Sequence, residues 1–342
     1  MKALLLASAL ALPLFALPAT AAAQDAPAAL TAQDLVTLPR LGAPAANADG
    51  TLVVYSVTTT DPETYDRDSA LYLMNLAAAS PAPVKLDLKG SASGVQFGGD
   101  GWLYFLSDRA ADQSDKEPRS RLWRARVTPA GEAREIALVS HVMGDVGDYK
   151  LSPDARRVVL LGEFARSCAE FGCDDEATHL SGPGTGRLYE GDGGFYRHWD
   201  QWETPGVHAR AFAFPIEGGR TVGPGVALDG PDGAGALVAD LPTKPFGGTE
   251  ELAWDADSSG IYFAARKADA AEPGSTNTDI YRTDFTSGQV RSLTADNLAT
   301  DTLPAASPDG RWLAWAAMAR PGYEADRLVI HLLTARRESS AR

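Results

Sequence analysis

The sequence predicts an all-β fold, a β-propeller of about five four-stranded blades. Five segments carry the prediction, each a turn containing an aspartate followed by an apolar strand: "ANADGTLVVYSVT", "FGGDGWLYFLSDR", "LSPDARRVVLLGE", "WDADSSGIYFAAR" and "ASPDGRWLAWAAM". Their aspartates, Asp49, Asp100, Asp154, Asp257 and Asp309, are spaced by 51, 54, 103 and 52 residues, so one interval is about double the others. Self-similarity at this period marks a radial or stacked repeat. A β-sandwich has no need of one turn five times at nearly constant period, which favours the propeller over a sandwich or a solenoid.

Taken in chain order, the first element is an export signal. Met1 and Lys2 form a short basic start, "ALLLASALALPLFAL" an apolar stretch, and "PATAAAQ" a small-residue cleavage region, most simply cut after Ala23. The repeats follow over residues 24–342. In each, a small or Pro-containing approach to Asp and then Gly supplies the backbone angles of a tight turn, and the next residues are strand formers. A second strand is expected about 20 to 24 residues after four of the aspartates, in "ALYLMNL", "RLWRARV", "TDIYRTDF" and "DRLVIHLL". These alternate polar and apolar residues, as outer strands do. In the third unit the matching strand is "HARAFAFPI", displaced by an insertion of roughly 35 residues from about Phe164 to Gln201. The double interval is therefore one blade with an insertion.

Composition restricts the partners. A net charge of -14 and a pI near 4.8 argue against nucleic acid or an anionic membrane surface. No apolar run after the signal approaches the roughly 20 residues of a membrane span, so a periplasmic or secreted protein is expected. Cys168 and Cys173 suit that compartment as a disulfide. Two thiols with only His179 nearby fall short of a four-ligand zinc set.

Longer segments resemble the bacterial prolyl oligopeptidase family of serine peptidases, close to the dipeptidyl and acylaminoacyl peptidases. They are "LTAQDLVTLPRLGAPAANADGTLVVYSV", the cysteine-bearing insertion, "RHWDQW", "PTKPFGGTEELAWDADS", "STNTDIYRTD", "TADNLATDTLPAASPDG" and "ARPGYEADRLVIHL". The resemblance implies an N-terminal propeller over a C-terminal α/β-hydrolase domain with a Ser, Asp and His triad. It also implies that the propeller admits short peptides to the cleft between the domains and turns folded proteins away.

The chain departs from that pattern in its chemistry. No segment reads Gly-x-Ser-x-Gly, since "GSASG" at Gly90 to Gly94 has Ala92 at the centre. No catalytic residue is therefore assigned. About seven blades are implied by the resemblance and about five are read here, so the expectation is an incomplete seven-bladed propeller. Two explanations compete, a truncated reading frame and an independent five-bladed propeller, and the tail "ARRESSAR", without the turn residues of "TSGQ", favours truncation.

The candidate cleft lining is "RHWDQW": Arg197, His198, Trp199, Asp200 and Trp202. As scaffold, Arg197 pairs with Asp200 and the indoles cover apolar surface; as function, the aromatic faces and a charge hold a peptide. A triad at His198 is improbable without a nucleophile motif. The turn aspartates are read as caps of local backbone N–H groups, and "CDDE" as a solvated loop lacking calcium-loop spacing. "GPGTGRLYEGDGG" lacks the Lys-Ser/Thr ending of a phosphate loop, so neither metal nor cofactor is called for. The expected partners are short peptides, reached through a full-length enzyme. The rival reading is a free-standing periplasmic propeller that binds a protein or peptide, like the propeller component of the Tol envelope system.

Overall fold

A computed structural model describes residues 29–112, 114–116, 119–173, 194–198, 200–204, 206–230 and 237–334. The expected signal at residues 1–23, Trp199, residues 174–176 of the acidic run and residues 182–193 of the Gly-rich run lie outside the described residues.

After a short helix α1 (Ala32–Thr37), antiparallel strands are grouped into successive sheets. The first blade contains β1 (Arg40–Leu41), β2 (Ala45–Ala46), β3 (Leu52–Thr60), β4 (Arg67–Asn75) and β5 (Pro83–Leu86). The second contains β6 (Ser93–Phe97), β7 (Leu103–Ser107), β8 (Arg121–Val127) and β9 (Ala133–Leu138) in that spatial order. The third is β10 (Asp148–Leu151) and β11 (Arg157–Ala165), then β14 (Val207–Glu217) with β15 (Arg220–Thr221) and β16 (Val226–Ala227) along it. Between β11 and β14 stands a separate hairpin, β12 (Arg197–His198) and β13 (Gln201–Trp202). The fourth blade is β17 (Ala239–Asp240), β18 (Leu252–Trp254), β19 (Gly260–Lys267), β20 (Asp279–Asp284) and β21 (Val290–Ser292). The fifth shows three strands among the described residues, β22 (Asp301–Ala306), β23 (Trp312–Ala317) and β24 (Val329–Thr334). This is an incomplete β-propeller.

The repeated aspartates explain the repeated turns. Asp49, Asp100, Asp154, Asp257 and Asp309 each accept the backbone N–H two residues on, from Thr51, Trp102, Arg156, Ser259 and Arg311, at 3.0 to 3.2 Å. The residue after each aspartate is left-handed: Gly50, Gly101, Ala155, Ser258 and Gly310 have φ of 69°, 75°, 55°, 58° and 66°. Glycine adopts this conformation without the clash that a Cβ brings, so Ala155 and Ser258 hold it under strain.

Core side chains lie between blades, because a central strand directs alternate residues to opposite faces. On β11, Val158 and Leu160 join the cluster against blade 2 with Tyr104 and Leu122, while Val159 and Leu161 join the cluster against blade 4 with Ile261 and Phe263. Blades 1 and 2 meet at Leu73, Leu103 and Phe105, and blades 4 and 5 at Tyr262, Ala264 and Leu313. Burial on both faces accounts for the apolar run "VVLL" at residues 158–161.

One expectation changes. Four of the strands read as outer, "ALYLMNL", "RLWRARV", "HARAFAFPI" and "TDIYRTDF", are third in their blades, with β5, β9, β15 and β21 beyond them, while β24, from "DRLVIHLL", is the last of the three described strands of its blade. Alternation misleads here because arginines serve as covers for aromatic rings. The guanidinium carbons of Arg124 and Arg126 sit 4.1 and 4.3 Å from the Trp102 ring centroid, so polar positions on β8 lie against a ring, Arg124 half-buried and Arg126 exposed.

A Cβ added at Gly50 meets nothing within 4 Å. Gly50→Ala therefore isolates the left-handed backbone cost, expected at about 1 kcal/mol of unfolding free energy in a urea titration.

Candidate functional site

The site is built at the end of the longest hairpin. β11 and β14 pair without interruption from Arg157↔Pro215 to Ala165↔Val207, and the chain leaves the blade between those last partners. At that point Arg210, 1% exposed, shares a strand face with Phe212 and Phe214. A guanidinium there requires partners, and it has them. Its Nε and Nη2 donate to Asp229 at 3.0 and 3.1 Å, its Nη1 donates to the carbonyls of Cys168 and Ala165 at 2.6 and 3.3 Å, and the group lies 4.9 Å from the Phe212 ring centroid. Cys168 and Cys173 are joined by a disulfide whose loop packs Phe171 edge-on against Phe212.

The hexapeptide "RHWDQW" occupies the small hairpin, where Arg197 pairs with Trp202 and His198 with Gln201. The Arg197 guanidinium lies 5.6 Å from the Trp202 ring centroid, and the His198 ring lies 4.4 Å from that of Phe195. Tyr196 and Trp202 stand 6.2 Å apart and are 60% and 58% exposed, which gives the hairpin an aromatic outer surface with a cation on it. Asp200 is exposed at the turn. No nucleophile accompanies His198 among these contacts of the described residues.

Charged groups fasten this hairpin to blades 3 and 4. Lys244 Nζ lies 2.8 Å from Glu203, next to the hairpin, 3.6 Å from Asp240 on β17 and 3.7 Å from Glu163 on β11. Burial pushes the Lys244 ammonium down, but Asp240, Glu203 and Glu163 together outweigh it and hold its pKa above the usual lysine value. Burial likewise pushes Asp240 up, and the neighbouring His208 and Lys244 more than offset it, leaving its carboxyl below the ordinary range. Among the described residues no group of three or more His, Cys, Asp or Glu could hold a metal ion.

Glu272 closes the other side. It is buried, and it accepts the backbone N–H of Phe195, at the foot of the hairpin. Burial first, and then the negative charge of Asp240, raises its pKa from 4.5 to about 7. A Cβ on Gly194 would fall 1.6 Å from the Glu272 carboxylate, so only glycine lets the hairpin approach this closely.

A second concave feature lies between blades 1 and 2, about 670 Å³ in volume and lined by Arg67, Asp68, Ser91, Ser107 and Asp108 among others. Ser91 Oγ donates to Asp108, and no histidine lines the cleft. Arg109 supports it from below, donating to the Leu88 carbonyl and the Ser107 hydroxyl at 2.7 and 2.8 Å.

Sequence reasoning singled out the segment "RHWDQW" but not the hairpin it forms, nor Arg210, Asp229, Lys244, Asp240 and Glu272 around it. Arg210 alone carried a local signal, a charge on the same strand face as two phenylalanines. The others come from segments far apart in the chain and are ordinary in composition.

Fold and site together define a β-propeller with a braced aromatic hairpin on its third blade. The dipeptidyl-peptidase 5 of Porphyromonas endodontalis is 26% identical over 313 residues, which is 89% of this chain and 40% of that protein. That of Porphyromonas gingivalis is 28% identical over 301 residues, 87% of this chain and 40% of that protein. The acylaminoacyl peptidase of Pyrococcus horikoshii superposes with a TM-score of 0.51 at 14% identity, over 88% of this chain and 40% of that one, a likeness of fold. No family model matches the chain. The curated relatives support its reading as the propeller portion of a prolyl-oligopeptidase-family peptidase. The chain spans about two fifths of the length of the curated relatives it matches.

The raised pKa of Glu272 makes stability depend on pH with a definite sign. The folded chain holds this proton more tightly than the unfolded chain, so the group's contribution is full below about 4.5 and is lost as pH rises through about 7. Urea titrations at pH 5 and pH 8 should therefore show Glu272→Gln gaining on the parent chain at the higher pH.

Proposed function

We propose that this chain is the substrate-gating propeller of an exported serine peptidase acting on short peptides, in the manner of a dipeptidyl peptidase. The supporting observation is the alignment itself: the curated relatives named dipeptidyl-peptidase 5 match nearly the whole of this chain and only 40% of their own length. The sequence contains no Gly-x-Ser-x-Gly, so the proposal assigns the nucleophile, its histidine base and the oxyanion hole to a hydrolase portion outside these 342 residues. Export rests on the leader-like residues 1–23 and on the cysteine pair.

In this reading the propeller does no covalent chemistry. It limits which chains reach the nucleophile, and a restricted, positioned approach contributes to rate by orienting the peptide. The "RHWDQW" hairpin, Arg197, His198, Trp199, Asp200 and Trp202, is assigned to the cleft lining. Trp202 and Tyr196 offer apolar faces to peptide side chains, and Arg197 offers a donor to main-chain carbonyls. Lys244 and its carboxylates keep the hairpin in one position, which lowers the ordering cost of binding.

Two measurements test this. Reading the coding DNA past the codon for Arg342 in all forward frames should reveal further Asp-turn blades and then Gly-x-Ser-x-Gly. A confirmed stop with none of these beyond it would overturn the peptidase reading in favour of a free-standing binding propeller. The purified chain alone should not hydrolyse a chromogenic dipeptide substrate, and turnover that survives removal of contaminating peptidases would contradict the assignment of the active site elsewhere.

A further inference from the structure

A cavity of about 570 Å³ opens between blades 2 and 3, beside the disulfide loop. Its polar lining is Arg119 just before β8, Arg121 at the start of β8, and His141 on the connector into blade 3. Its apolar lining is Leu138, Val142 and Met143. In a chain of net charge -14 this concentration of cationic side chains stands out. Asp115 is engaged by Arg121 Nη1 at 2.5 Å, and Asp145 accepts the Ser120 N–H at 2.9 Å. The His141 imidazole is held below its usual pKa, by burial first and then by Arg220 and Arg121.

The cavity is also fixed in shape. The His141 N–H donates to Thr221 Oγ1 on blade 3 at 2.9 Å, and Arg119 Nη1 donates to the Met143 carbonyl. A Cβ on Gly144 would lie 2.6 Å from Gly172 Cα, so the connector is pressed directly against the disulfide loop. The bonds named for the two arginines use Nη1 of each, whereas a guanidinium carries five N–H donors in a fork that matches a planar carboxylate.

We propose that this cavity binds a small carboxylate bearing an apolar group, with the carboxylate on Arg119 and Arg121 and the apolar group against Val142 and Met143. The inference rests on the cavity alone and does not depend on the peptidase reading. Its size suits a small ligand, and an apolar wall with a few convergent polar groups is how such sites recognise one.

The His141 ring protons report directly on it, assigned by comparison with His141→Gln. Titration of the purified chain with N-acetyl-leucine should shift them saturably, with a Kd on the order of 1 mM. The bound negative charge should also raise the pKa of His141 toward its ordinary value. N-acetyl-leucinamide, without the carboxylate, should leave the ring unmoved, and acetate, without the apolar group, should bind about tenfold more weakly. Arg119→Gln should weaken N-acetyl-leucine about tenfold, and Val142→Ser should weaken it while leaving acetate unchanged. Equal responses to the amide and the acid overturn the carboxylate. Equal Kd values for inorganic phosphate and N-acetyl-leucine reduce the site to an unspecific cationic patch and overturn the proposal, as does a failure to saturate. Should Arg119→Gln not fold, the comparison of acid and amide on the unmodified chain decides alone.

Discussion

A single buried guanidinium organises the centre of this molecule. Arg210 and Asp229 are each 1% exposed, and taking two such charges out of water is costly unless their geometry and remaining hydrogen bonds are good. Here Asp229 receives two bonds, and the carbonyls of Ala165 and Cys168 receive others. One side chain thus fixes the third strand of blade 3, the root of the disulfide loop and the connector toward blade 4. The hairpin that carries Arg197 and Trp202 lies between β11 and β14 in the chain.

The hairpin is held from outside by a second set of charges with the opposite arrangement. Lys244 is one cation among three carboxylates drawn from separate elements, and Glu272 keeps its proton near neutrality because burial and Asp240 both oppose its charge. The result is a docked segment held by electrostatic and backbone-directed contacts, with Tyr196 and Trp202 exposed on it. A surface of that kind favours ligands that offer both a flat apolar face and hydrogen-bonding groups, as peptides do.

How much of this could be read beforehand varies with the range of the contact. The turns were legible because Asp49, Asp100, Asp154, Asp257 and Asp309 bind backbone only two residues away, so the whole interaction is written in one short string. The blade count and the single expanded interval followed from their spacing. The place of "RLWRARV" within its blade did not, because period-two alternation cannot distinguish a solvated arginine from one laid over Trp102. The charge cluster was beyond reach for another reason. Glu163, Glu203, Asp240, Lys244 and Glu272 span more than a hundred residues and meet only when blades 3 and 4 are side by side.

The aspartate turns have a role beyond closing their own hairpins. A Cβ on Gly99 would sit 2.3 Å from the Pro153 carbonyl, one on Gly98 would sit 2.9 Å from the Ala155 Cβ, and one on Gly310 would sit 3.1 Å from the Ala256 Cβ. Neighbouring turns therefore touch, blade 2 on blade 3 and blade 4 on blade 5, with no side chain between them. The smallness of these residues sets how sharply adjacent blades converge at that end of their inner strands. Convergence angle, repeated from blade to blade, determines how many blades complete a circle, so a few glycines and alanines in the turns help to specify the circumference of the ring.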